Sequence, residues 1–296
     1  MSLFARTLLG LSLIIGMQQT VAAEPLPYDR YNEFHGWSAT ERVLLQDLAD
    51  WQLDQHSLVE AALIVAGHNK ETIARYNARL KQSIARCRPR VRPTDSTQNQ
   101  LRIIFRHTSA EFLKGKYQSD IYDLGKTLDQ GDFNCLTATI LFKEICQAFS
   151  IHVDALWEPS HVQCWATLRG NFGYIVETTA ASDYDAVSGM RSAEQLTLRR
   201  LSKSELLAKV YYNKGVRALK TDAYPTALAS TWLGTLLDPR DSPAQNNLRA
   251  CFNNWALAAV SQNSDVVLAK RLLDAGISLD PNYVPFSRNR ALLVGQ

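Results

Sequence analysis

The stretch Gly131-Asp132-Phe133-Asn134-Cys135-Leu136-Thr137-Ala138-Thr139-Ile140-Leu141-Phe142 sets a cysteine where a helix begins. Gly-Asp and Asn form turns, and Leu136, Ile140, Leu141 and Ile145 then recur at helical spacing, so Cys135 is expected in the first helical turn. Backbone N–H groups are free there and the helix dipole is positive. Both favour a thiolate and can hold an oxyanion. Cys146 falls deeper along the apolar stripe and reads as core.

The partners that such a thiolate needs follow in the chain. Residues 160–168 read as a strand, Arg169-Gly170-Asn171 as a turn, and 173–179 as a second strand. Strands joined so tightly are antiparallel neighbours, which brings His161 and Glu177 to the same end of the hairpin. Cys135, His161 and Glu177 then make a nucleophile, a base and an orienter of the base. If the register differs, Asp183 or Asp185 substitutes for Glu177. Residues 152–157 alternate and add a third strand, so a helix followed by an antiparallel sheet gives an α+β core. Trp157 and Trp165 read as core, His107 and His152 as structural, and Cys164 as sheet packing.

Phe133-Asn134-Cys135, Pro159-Ser160-His161-Val162 and Val176-Glu177-Thr178-Thr179 together resemble the transglutaminase-like branch of the papain-like superfamily. The likeness is greatest to a bacterial subgroup with tetratricopeptide repeats after the catalytic domain. It is best over 125–180 and extends over 40–240. The sequence departs from the pattern in carrying Glu where the wider family mostly has Asp, and Asn rather than a small residue before the Cys. The resemblance implies a cysteine hydrolase, a protease or amidase, that works through a thioester and without a cofactor. An amine in place of water would make it a transglutaminase, and some relatives have lost the triad altogether. By analogy with papain-like enzymes, Gln130 is a candidate for the oxyanion hole. The backbone N–H of Cys135 is the other donor.

Before this core, Ser38 and Ser57 each stand three residues ahead of a Glu, a capping-box pattern, and begin helices. Further helices are expected over about 70–87 and 98–114, separated by a loop rich in Arg and Pro. Residues 115–130 read as a connection and 180–200 as a covering loop and linker. From Ser204 the pattern turns to helix pairs. Tyr211, Gly215, Ala227 and Pro239 fit the spacing of one tetratricopeptide repeat, and Leu236-Leu237-Asp238-Pro239 recurs as Ser278-Leu279-Asp280-Pro281. The two prolines stand 42 apart, which calls for a longer first helix or loop in the second unit.

Arg6, the apolar run Leu8–Ile15 and Val21-Ala22-Ala23 match a secretory signal cleaved after Ala23. The expected organisation is therefore a signal peptide (1–23), a transglutaminase-like domain with a helical N-terminal part (24–200) and an all-α helical repeat region (201–296). The exported protein would be periplasmic in a Gram-negative cell and otherwise secreted. A formal charge of +3 does not point to nucleic acid, and no stretch is long and apolar enough for a membrane span. The His and Cys residues lack zinc spacing, and five cysteines leave at least one thiol unpaired. The partner expected is a protein or peptide. The alternative to catalysis is a scaffold that binds such a partner through its repeats.

Overall fold

The structure is a computed structural model that describes residues 34–158, 160–168 and 171–293. The signal-peptide reading lies outside these residues. Among them no helix is long and apolar enough to cross a membrane, and no group of three metal-binding side chains comes together.

Among the described residues five α-helices precede the Cys-bearing one: α1 (Ala39–Asp47), α2 (Leu58–Val65), α3 (Lys70–Cys87), α4 (Thr97–Phe112) and α5 (Leu124–Gln130). Both serine capping boxes form, with Ser38 on Glu41 and Ser57 on Glu60. Helix α2 is buried along nearly its whole length and forms the centre of this layer. Helix α5 corrects the expectation of a plain connection: Asp123 caps it, and Gly131 ends it at φ +82°. A side chain at Gly131 would also meet Gly115 N at 2.9 Å, so glycine is required there twice over.

Helix α6 (Cys135–Gln147) packs on the sheet formed by β1 (Val153–Glu158), β2 (His161–Thr167) and β3 (Phe172–Val176). The three expected strands belong to a sheet of five, ordered β4-β3-β2-β1-β5 and antiparallel throughout. The added strands, β4 (Val187–Ser192) and β5 (Arg199–Leu201), come from the segment expected to be irregular. A short helix, α7 (Asp183–Ala186), precedes β4.

The helix pairs follow as α8 (Lys203–Lys220), α9 (Tyr224–Leu237), α10 (Ser242–Asn263), α11 (Val266–Leu279) and α12 (Val284–Leu292). Helix α10 has 22 residues against 18 in α8, so the second unit does have the longer first helix. The hydrophobic core does not break at residue 201. Leu206, Leu207, Val210 and Tyr211 of α8, with Leu233 and Leu237 of α9, belong to the same buried cluster as the sheet and α2. A second cluster, around Phe252, Leu272 and Phe286, holds the later helices together.

Candidate active site

Asn134, just before Cys135, caps the helix that carries it. Its Oδ1 accepts the Thr137 N–H at 2.9 Å, while its Nδ2 donates to the carbonyls of Ser119 and Ile121 at 3.1 and 2.9 Å. Thr137 Oγ1 accepts the Asn134 N–H in return, completing a capping box. The buried Asn therefore ties the preceding loop to the helix and satisfies the third N–H of the first turn, not the first. The N–H of Cys135, at the helix start, is not taken up by this cap. Cys135 is 8% exposed and opens into a cleft.

His161 enters from the opposite side. Strand β1 ends at Glu158 and β2 begins at His161; the two residues pair with each other, and Ser160 between them has φ +71°. His161 is the first residue of β2 and lines the same cleft as Cys135. Its Nε2 lies 2.5 Å from Glu177 Oε2, just beyond the end of β3. Glu177 is fixed in turn: Oε1 accepts the Thr179 N–H at 2.9 Å and the Thr179 hydroxyl at 2.5 Å. Thr178 hydrogen-bonds Thr139 of α6 at 3.2 Å, which ties the Glu177 turn to the Cys-bearing helix.

The charges follow from this geometry. The His161 pKa is raised to about 10, first by hydrogen bonding with Cys135, then by the bond to Glu177, against the opposing effect of burial. Burial by itself would raise the Glu177 carboxyl; the bonds from His161 and Thr179 outweigh it and hold the pKa below the usual value. Glu177 therefore remains a carboxylate beside an imidazolium.

Cys135, His161 and Glu177 are thus brought together. Gln130 is not. It lies exposed at the last position of α5 and does not line the cleft, because Gly131 turns the chain away between it and the Cys helix. Asp183 faces Arg106 at 3.2 Å and Asp185 bonds Ser182, so neither takes the place of Glu177. Trp165 is core as expected, but Trp157 is only partly buried and lines the cleft. His107 bonds Ser83 at 2.8 Å and His152 bonds Asp154 at 3.1 Å, both away from the site. All five cysteines are free.

Tyr117 is a cleft residue that the sequence reading missed. Its segment is clamped to the stretch before Cys135: Gln118 N–H donates to Phe133 O at 2.8 Å, and Lys116 N–H to Asp132 Oδ1 at 2.8 Å. The phenol reaches the Cys135 thiol and backbone N–H. Loss of water around the hydroxyl, then the neighbouring Cys135 and Glu177, raise its pKa. The sequence signal was slight, one of two tyrosines in an unpatterned connection. Helix α8 supplies the remaining wall of the cleft through side chains that include Lys209, Tyr212, Asn213 and Val216.

Compared with known families, curated proteins and solved structures, the chain matches none of them.

Proposed function

We propose that the protein is a cysteine hydrolase of transglutaminase-like type, acting on an amide bond of a protein or peptide. The observation that carries this is the junction of Cys135, at a helix start, with a His161 imidazole whose other side is held by Glu177 at 2.5 Å. Glu177 engages Nε2, which leaves Nδ1 to exchange a proton with the thiol. The thiol hydrogen-bonds this imidazole, and passing its proton to the ring gives the thiolate that attacks. Sulfur attacks the amide carbonyl, and the negative oxygen is stabilised by the Cys135 N–H and the Tyr117 hydroxyl. The imidazolium then gives its proton to the leaving amine as the C–N bond breaks, and a thioester remains. Water, deprotonated by the now neutral imidazole, adds to the thioester and releases the acid and the thiol. An amine in place of water would transfer the acyl group instead. None of these steps calls for a cofactor. The first helix pair, with Tyr211, Gly215, Ala227 and Pro239, is read as one tetratricopeptide repeat, and export remains part of the proposal through the N-terminal signal pattern.

The test is alkylation by iodoacetamide at neutral pH with site-resolved mass spectrometry, followed by assay on peptide and isopeptide amides. Cys135 is expected to label far faster than the other four cysteines, and Cys135→Ser and His161→Ala to abolish turnover while keeping the fold. Equal labelling of Cys135 and Cys164, with no amide cleaved, would leave a scaffold.

A further inference from the structure

The cleft is small, about 260 Å³, and its two long walls come from different parts of the chain. One carries Cys135, Leu136, Trp157, His161 and Val162; the other is α8, with Tyr212, Asn213 and Val216 facing them. Helix α8 is not a loosely attached repeat. Lys214 Nζ donates to Val65 O at 2.7 Å, Asn213 Nδ2 to Ile121 O at 3.2 Å, and Lys220 meets Asp120 at 2.9 Å. Its apolar face is buried in the main core. The wall opposite the thiol is therefore fixed.

The charges that line this space are already matched. Lys209 is bonded to Asp238 and Asp241 at 2.7 and 2.5 Å, and Lys220 to Asp120. Recruiting a charged side chain would require breaking one of these pairs. Leu136, Val162, Trp157 and Val216 present apolar surface instead. A space of this size takes one or two residues of an extended chain and excludes a folded domain.

Building on Cys135 as the nucleophile, we infer that α8 is part of the substrate site: the cleft takes an extended peptide whose residue on the acyl side of the scissile amide is apolar, and Val216 sets its size. The first repeat helix then selects the substrate at the thiol itself, and is not a platform for a separate partner.

Peptidyl chloromethyl ketones test this without a known substrate. The Cys135 thiolate displaces chloride from the methylene, so a C–S bond forms as the C–Cl bond breaks, and the peptide must sit in the cleft for this to be fast. Labelling of Cys135 is measured with iodoacetamide and with acetyl-dipeptidyl ketones ending in Leu, Phe or Asp. In the unmodified protein the Leu probe is expected to react at least roughly tenfold faster than the Asp probe, the order of discrimination that one apolar contact supplies. Val216→Trp should slow the Leu probe by a similar factor and leave iodoacetamide within about twofold. Val216→Ala, which removes bulk and needs no refolding of the wall, should shift preference from Leu towards Phe. Equal rates for Leu and Asp, or rates indifferent to both Val216 variants while iodoacetamide still labels Cys135 selectively, would overturn the α8 assignment and leave the hydrolase proposal standing. Slow iodoacetamide labelling of Cys135 in the unmodified protein would overturn both.

Discussion

The proposed chemistry needs one thiolate among five thiols, and burial keeps the other four protonated. It raises the thiol pKa at Cys87, pushes Cys164 and Cys251 up to about 12, and drives Cys146 well above its usual value. Cys135 differs in standing at a helix start beside an imidazole that Glu177 holds. This arrangement has a pH signature. The His161 pKa is raised, so its stabilising effect on the fold is full below an ordinary imidazole pKa and is lost as pH climbs through about 10. Glu177 has a lowered pKa, so its share is present above the usual carboxyl range and lost as pH falls through the lowered value. The alkaline limb of kcat/KM, where the leaving amine loses its acid, is expected near 10 in the unmodified enzyme. Glu177→Gln removes the second-largest influence on the ring, so that limb should move to lower pH and the rate loss should be milder than in His161→Ala. A limb that stays in place would separate Glu177 from the proton transfer. Tyr117→Phe is expected to cut kcat by roughly a hundredfold, the usual worth of one oxyanion donor. An undiminished kcat would leave the Cys135 N–H as the only donor.

At the scale of elements, the first helix pair shows how closely sequence spacing and packing can agree. Gly215 of α8 was picked out by its place relative to Tyr211 and Ala227. In the structure a methyl group there would lie 2.4 Å from Thr231 Oγ1 and 3.5 Å from Ala227 O. Thr231 cannot give way freely, because its hydroxyl donates to Ala227 O at 2.7 Å and its branched side chain is buried. Gly215→Ala should therefore destabilise the protein by about 1–3 kcal/mol through overpacking, despite the better helix propensity of Ala. Thr231→Ala in the same chain should recover part of that loss, read from paired denaturant midpoints. If Gly215→Ala raises the midpoint instead, the two helices do not cross closely at this point. The Cys helix, its Asn cap and the hairpin were legible because each is local: a cap lies within three residues, and a turn lies between two alternating runs. Strands β4 and β5 were not. Val187-Ser188-Gly189-Met190-Arg191-Ser192 has no alternation, and only Val187 in it is buried, so its pairing with β3 rests on backbone bonds to a distant neighbour. Helix α5 is seven residues long and has no full apolar stripe to read. Trp157 was assigned to the core because a strand tryptophan usually packs there; its exposure to the cleft depends on α8, which the local pattern does not specify.

The whole molecule is joined by a set of buried charges that spans the sheet and the helix pairs. Arg199 of β5 donates to Asp238 at 2.8 and 2.5 Å and to Glu205 at 3.2 Å. Lys209 of α8 donates to Asp238 and to Asp241, and its ammonium lies 4.4 Å from the centre of the Trp157 ring, with the Arg199 guanidinium 5.0 Å away. Asp238 and Asp241 belong to the turn between α9 and α10, so this turn, α8, β5 and the cleft tryptophan share one electrostatic contact. Burial would raise the Asp238 pKa, but Arg199 and Lys209 outweigh it and lower it. The stabilisation it contributes is thus present above the usual carboxyl range and disappears as acid carries the pH through the lowered value. Lys209→Met removes the cation while keeping most of the side chain's volume. It leaves Asp238 bonded to Arg199, and takes from Asp241 the ammonium it bonds, in a buried setting. Breaking a buried pair from one side typically costs about 3–5 kcal/mol, so a large fall in thermal stability is expected. Lys220→Met, which removes a more exposed partner of Asp120, should cost at most about 1 kcal/mol and serves as the control. Because Lys209 also faces Trp157, Lys209→Met should slow Cys135 labelling by the Leu-ending chloromethyl ketone more than labelling by iodoacetamide. Equal stability of the two methionine variants would mean that the buried charges do not hold the helix pairs to the sheet. Equal slowing of both probes by Lys209→Met would mean that the ammonium acts on the fold as a whole and not on the cleft wall.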